Sequence, residues 1–187
     1  MRRIATLTAL LALATPALAV EMGDDGLHKP HWLQETFLDL AEDHAEAAAN
    51  GQSLMILIEQ RGCSYCRKMH EEVFTDPRIE ALLEEEFYVL QINMFGDLEV
   101  TDFDGTVLSE KDMTVHWGAL FTPTMMIFPA EIPEDATAAR AAVATLPGAF
   151  SASTTLDLLT WVREEVYLTD EPFQKYHARM IEERQGG

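Results

Sequence analysis

The two cysteines of this 187-residue chain stand three positions apart, in Cys63-Ser64-Tyr65-Cys66, shortly after the apolar run Ser53-Leu54-Met55-Ile56-Leu57-Ile58. An uninterrupted run of this kind predicts a strand covered on both faces, and such a strand needs helices on either side of its sheet. Gln60 to Gly62 reads as a short turn, and a helix is expected to start near Cys63. The first cysteine then falls at a helix N-terminus, where unpaired N–H groups and the helix dipole favour an anion. A thiolate so placed has its pKa lowered into roughly the 3.5–7.5 range. Two intervening residues let the second sulfur reach the first within one turn, so the pair can close as a small-ring disulfide and reopen by thiol–disulfide exchange. Cys63 is the expected attacking sulfur, and Cys66, one turn in and more shielded, the resolving one.

Other uses of the pair are weaker. A purely structural disulfide closing so short a loop would remove little unfolded-state entropy. A c-type haem needs histidine directly after the second cysteine, where Arg67 stands. His70, four residues past Cys66, could join two thiolates in a zinc or copper site. Otherwise it reads as a solvated or partly packed helix residue. Glu21 to Pro30 reads as a loose, polar terminus, His28 and His31 are read as part of this mobile end, and His44, His116 and His177 share no spacing.

The first nineteen residues read as an export leader rather than fold. Arg2 and Arg3 precede the apolar stretch Ile4 to Ala14, and Ala17-Leu18-Ala19 offers small residues for cleavage. Residues 1–19 are therefore expected to be a signal peptide cut after Ala19, with Val20 to Gly187 released into a bacterial periplasm. In that oxidising compartment a cysteine pair can persist as a disulfide. A mean hydropathy of -0.05 excludes a multi-pass membrane protein. Thirteen basic against 32 acidic residues, a formal charge of -19, speak against nucleic acid and against anionic membranes, both of which need a basic face.

Along the released chain, Trp32, Phe37, Leu40 and Ala41 recur at helical spacing, and the pattern predicts one helix from there to Asn50-Gly51. The helix after Cys63 should be split at Pro77, with Thr75-Asp76 capping its second piece. Phe87 to Ile92 reads as a strand, residues 94–112 as a polar insertion, and Met113 to Leu120 as a short helix. Strands at Thr124 to Phe128 and Ala141 to Leu146 follow, separated by a loop from Pro129 to Ala139. Helices are expected at about Thr154 to Tyr167 and Pro172 to Glu183. Alternating strands and helices with a closing hairpin imply an α/β sandwich with a mixed sheet in one domain.

The strand Leu54 to Ile58, the motif Cys63-Ser64-Tyr65-Cys66, and Phe121-Thr122-Pro123-Thr124 ahead of a strand together resemble the thioredoxin superfamily over nearly all of the released chain. Within it the chain is similar to periplasmic SoxW-type thioredoxins of bacterial sulfur-oxidation systems. The matching stretches are Gly62 to Met69, Asp97 to Gly105 and Trp117 to Thr124. The resemblance implies a thioredoxin-like three-layer sandwich with a central mixed sheet over residues 20–187. It implies that Pro123 is a cis-proline facing the disulfide, and that Thr122 and Pro123 bind an extended client segment. It implies a reductant of client protein disulfides, linked to sulfur oxidation, with sulfur-carrier or cytochrome-type cysteine proteins as clients. An inner-membrane thiol transporter would be the electron donor. No cofactor is called for, and a monomer is expected. The alternative is a thioredoxin-fold metallochaperone holding Cu(I) or Zn(II) through Cys63, Cys66 and His70.

The chain departs from the family at three places. Gly62 stands where tryptophan is usual before the first cysteine, and Ser64-Tyr65 replaces the frequent Gly-Pro. Leu57 occupies the place of a buried acid that relays protons. Glu59, two residues on, is the nearest carboxylate. It reads by default as a strand-end surface charge and otherwise as a substitute proton relay. With no histidine inside the dipeptide, a potential nearer roughly -270 mV than the roughly -120 mV of a strong oxidase is expected. Asp102-Phe103-Asp104-Gly105-Thr106 also resembles the aspartate motif of haloacid-dehalogenase-type phosphatases. That chemistry needs both carboxylates at the end of a buried strand, so the two acids are expected to shape a turn instead.

Overall fold

The computed structural model describes residues 21–186; the expected leader lies outside them. Strand β1 (Glu21–Met22) pairs antiparallel with β2 (His28–Lys29), and helix α1 (Leu40–Ala49) leads to β3 (Ser53–Glu59). Helix α2 (Ser64–Lys68) runs on into a π-helical turn, Met69–Val73, and is followed by α3 (Pro77–Glu85) and β4 (Phe87–Asn93). A second hairpin, β5 (Glu99–Thr101) with β6 (Val107–Ser109), precedes α4 (Glu110–His116). Then come β7 (Thr124–Ile127), α5 (Ala138–Ala141), β8 (Ala144–Pro147), α6 (Ala152–Arg163) and α7 (Phe173–Gly186).

The main sheet has the order β4-β3-β7-β8. β3 and β4 are parallel, and β7 is antiparallel to both β3 and β8. Side chains alternate across it, as the two-residue period of a strand requires. Met55 and Leu57 of β3, with Phe87 and Val89 of β4, enter one core beneath Met69, Val73, Ile79, Leu83, Leu158 and Leu159. Leu54, Ile56 and Ile58, with Tyr88, Leu90 and Ile92, enter the other beneath Leu40, Ala47, Met113 and Ala138. This is the expected three-layer α/β arrangement, with helices on both faces of a mixed sheet.

Local signals fixed the helix starts. Asp76 caps α3 by accepting from Arg78 N, and Pro77 stands in its first turn, where a missing N–H costs nothing. Cys63 itself caps α2.

Two expectations are corrected. The helix predicted from Trp32 begins only at Leu40. Asp39 accepts from the N–H groups of Ala41 and Glu42, and Leu38 takes a φ of 58°, which a continuous helix cannot contain. Residues 32–38 instead run along the sheet edge, with Leu33 bridging Val89, and Phe37 is almost wholly exposed. The segment Glu21 to Pro30, expected to be loose, is a packed strap. Leu27 is buried, and Arg61 donates to the carbonyls of Asp24 and Asp25. Residues 94–112, the segment read as a polar insertion, hold the β5–β6 hairpin and the start of α4, and Val100 is buried in the core.

The closing helices are joined by Asp157, which lies 2.7 and 2.8 Å from the two terminal nitrogens of Arg184 and bonds His177 Nδ1. Burial pushes the Asp157 carboxyl up, but the hydrogen bonds from Arg184 and His177 outweigh it and leave the pKa below the ordinary 3.8. A depressed carboxyl stabilises the fold above its unfolded pKa, and that contribution is lost as pH falls through the folded value. Asp157→Asn is therefore expected to cost about 2 kcal/mol at neutral pH. The gap to the parent should close as pH falls below about 3.8. Thermal melts of both proteins from pH 7 to pH 2 check this; a gap that stays constant with pH would refute it.

Candidate active site

Cys63 and Cys66 are joined by a disulfide with a Cα–Cα separation of 5.2 Å. The pair sits where β3 hands the chain to α2. Gly62, with φ +73°, makes the turn that no β-branched residue would take easily. The two sulfurs are unequal. Cys63 is partly exposed, whereas Cys66 is buried at 2% exposure. Cys66 N–H points at Cys63 Sγ from 3.0 Å, so the helix start already offers a donor to that sulfur.

The loop before β7 closes over the same sulfur. The Thr122–Pro123 peptide is cis, and Thr122 Oγ1 lies 3.4 Å from Cys63 Sγ. The carbonyl of Pro123 accepts from Gly148 N–H, which ties this loop to the turn after β8. The resemblance placed Pro123 against the disulfide, and its neighbour's hydroxyl is there. Tyr65, Leu120 and Phe121 are large apolar side chains left exposed, Tyr65 between the cysteines and the other two on this loop.

Glu59 is not a strand-end surface charge. It shares the face of Met55 and Leu57, and at 1% exposure it is buried. His70 Nε2 lies 3.0 Å from both its oxygens, and Gln91 Nε2 donates to Oε2 at 2.7 Å. His70 is likewise buried at 1% exposure, not solvated or partly packed. The His28 ring, expected on a mobile terminus, stacks on His70 at 4.4 Å. Burial first, and then the neighbouring His70, hold the His28 imidazole below its ordinary value.

The sequence did not point to Gln91 and His70 as partners of this acid, nor to His28 stacked behind His70. One signal was available: Glu59 lies at even spacing from Leu57, so it had to face the side covered by the cysteine helix. His70 and the two sulfurs are not, among the described residues, a converging three-ligand set. Among the described residues the metal-type ligand atoms that converge are those of His31, Glu80 and Glu84, elsewhere on the surface.

Asp102 and Asp104 shape a turn, as expected. Asp102 N–H donates to Thr106 O, and Asp104 Oδ1 accepts from Thr106 N–H. Asp102 is also buried, accepting from Trp117 Nε1 and Ala138 N–H. No helix among the described residues is long and apolar enough to cross a membrane.

The model of the thioredoxin-like domain family matches residues 40–137. A thioredoxin-fold protein from Helicobacter pylori superposes with a TM-score of 0.54 at 18% identity, over 73% of this chain and 86% of its own. A thioredoxin from Thermus thermophilus superposes with a TM-score of 0.50 at 22% identity, over 66% of this chain and 83% of its own. No curated protein matches the chain by sequence.

Proposed function

The chain belongs to the thioredoxin-like domain family, and from that premise we propose that it is a periplasmic thiol:disulfide oxidoreductase that reduces client protein disulfides through Cys63 and Cys66. The observation that carries this reading is the asymmetry of the pair. One sulfur is partly exposed, sits at a helix start and lies beside Thr122; the other is buried one turn in. A reduced Cys63 would keep the Cys66 N–H as a donor to its thiolate, which favours a pKa below the free value of about 8.5. Among the described residues the main chain of Thr122 makes no hydrogen bond to another main-chain group, leaving it available to an extended client segment. Tyr65, Leu120 and Phe121 supply apolar surface around the sulfur for that segment.

In the proposed cycle Cys63 attacks a client disulfide and Cys66 resolves the mixed disulfide. The client leaves reduced and the Cys63–Cys66 bond reforms. An inner-membrane thiol transporter re-reduces the pair. The leader at residues 1–19 supports the periplasmic placement. The SoxW-like stretches support sulfur-carrier or cytochrome-type clients in sulfur oxidation.

The test is twofold. The reduced protein should catalyse reduction of a model protein disulfide by dithiothreitol. Equilibrated against glutathione, the pair should show a potential near -270 mV, as a reductant requires, on the scale where a strong periplasmic oxidase lies near roughly -120 mV. A potential above about -160 mV on that scale would reverse the direction assigned here.

A further inference from the structure

Glu80 and Glu84 stand one turn apart on α3, so their carboxylates share one face of that helix. Like charges at this spacing repel, and Glu84, in the last turn, also meets the negative end of the helix dipole. That turn holds no basic residue. Arg78 of the same helix is bound to Asp76, 3.0 Å from its Oδ1 and 2.7 Å from its Oδ2. Among the described residues no lysine or arginine pairs with Glu80 or Glu84.

The group that does meet these acids is an imidazole from the N-terminal strap. His31 Nε2 contacts Glu84 Oε1, and one ligand atom each of His31, Glu80 and Glu84 lies within 4.8 Å of the other two. The chain on either side of His31 is anchored. Before it β2 pairs with β1; after it Trp32 is buried and meets Phe74 edge-on at 5.4 Å, and Leu33 bridges Val89. Leu33 N–H donates to the Pro30 carbonyl at 3.1 Å, which turns the chain at His31. The helix end is fixed as well, since Gln52 Nε2 donates to the carbonyls of Glu84 and Phe87. The backbone beneath all three side chains is therefore set before any ligand arrives.

Zinc holds imidazole nitrogen and carboxylate oxygen at about 2.0–2.2 Å, which spaces tetrahedral ligand atoms about 3.3–3.5 Å apart. The three atoms are within small rotamer adjustments of that shell. One imidazole with two carboxylates is a mixed nitrogen and oxygen set. It suits zinc and its neighbours among the divalent transition metals, whereas calcium and magnesium take oxygen alone. His31 and Glu84 are exposed, so water can fill the fourth position.

We infer that His31, Glu80 and Glu84 bind one divalent transition-metal ion, with Zn(II) as its probe, and that the ion staples the N-terminal strap to α3. Two positive charges neutralise the two carboxylates, and one ion joins segments 53 residues apart in sequence. The ion takes the place of the proton between His31 Nε2 and Glu84 Oε1, and the ring keeps its remaining proton on Nδ1. The same strap carries His28, stacked on His70 at 4.4 Å, so the staple holds down the segment that covers the face beneath the cysteine helix. The ion takes no part in disulfide exchange, and the inference is independent of what Cys63 and Cys66 act upon.

The test titrates zinc chloride into the oxidised full chain by calorimetry. With the sulfurs joined, no thiolate competes for the metal. One equivalent should bind. His31→Ala, Glu80→Gln and Glu84→Gln should each weaken binding by at least the roughly 10–100-fold that loss of a mere outer-shell partner brings. The parent should melt at a higher temperature in excess zinc than in chelator, as a ligand selective for the folded state requires. His31→Ala should show no such rise. The amides of Leu33 and Gln34, bonded to the Pro30 and Val89 carbonyls, should exchange with solvent more slowly once zinc is bound. Calcium at the same concentration should produce none of these effects. Equal zinc binding by the parent and His31→Ala, or an equal response to calcium and zinc, would mean only attraction of cations to an acidic surface and would overturn the inference. Zinc binding that leaves exchange at Leu33 and Gln34 unchanged would overturn the staple. Should a variant fail to fold, the His31 ring resonances of the parent decide the matter: they must shift and saturate at one equivalent of zinc, and a ring left unmoved would overturn the site.

Discussion

Cys66→Ser is expected to leave the protein covalently joined to its clients, with turnover of disulfides reduced to the uncatalysed background. Cys63→Ser is expected to capture none. The argument is geometric. A client sulfur can reach Cys63, which is partly exposed and beside the Thr122 hydroxyl at 3.4 Å. It cannot reach Cys66 at 2% exposure without unpacking the helix. The Cys66 N–H at 3.0 Å favours negative charge on Cys63 sulfur and offers nothing to its own. A serine hydroxyl cannot replace the resolving thiolate, so the mixed disulfide persists once formed. Trapping with the two variants, read on non-reducing gels after acid quench, checks the assignment. Equal capture by both would show that the two sulfurs are interchangeable.

The second large effect is on stability. Asp102 is 1% exposed and accepts hydrogen bonds at both oxygens. Oδ1 takes the N–H of Phe103 at 2.7 Å and of Ala138 at 2.8 Å, and Oδ2 takes Trp117 Nε1–H at 2.8 Å. One carboxylate thereby ties the β5–β6 turn to the end of α4 and the start of α5. Asp102→Ala strands these buried donors and should cost about 3–5 kcal/mol, since each unsatisfied buried group costs about 1–3 kcal/mol. Asp102→Asn should keep the two backbone bonds on its carbonyl oxygen but present an amide N–H to the indole N–H. It should cost about half as much. Urea melts followed by tryptophan fluorescence measure both. A loss below about 1 kcal/mol for the alanine variant would mean that water replaces the carboxylate, and the clamp would be no clamp.

Much of the site was readable locally. The apolar run of β3, the turn at Gly62, a helix starting at Cys63, the cap at Asp76 ahead of Pro77 and the strand at Thr124 each follow from a few consecutive residues. Such signals act through local dihedral preferences and through periodicity, and neither needs the rest of the chain. The reading of residues 32–38 failed for the same reason. Helical spacing of Trp32, Phe37 and Leu40 says nothing about whether the sheet edge offers Leu33 a partner at Val89, and it does.

What the sequence determined by itself was the fold class, the cysteine pair at the head of its helix, and the strongly acidic charge. The tertiary structure decided the surroundings of the pair. Strand parity already placed Glu59 on the face beneath the cysteine helix, but the groups that meet it there come from far along the chain. His70 is 11 residues away and Gln91 is 32, while Gln91 reaches the His28 carbonyl across 63. Contacts at such separations depend on how helix, strand and strap dock in three dimensions. No local pattern encodes that docking, because burial of Glu59 becomes tolerable only once all of its partners have arrived together.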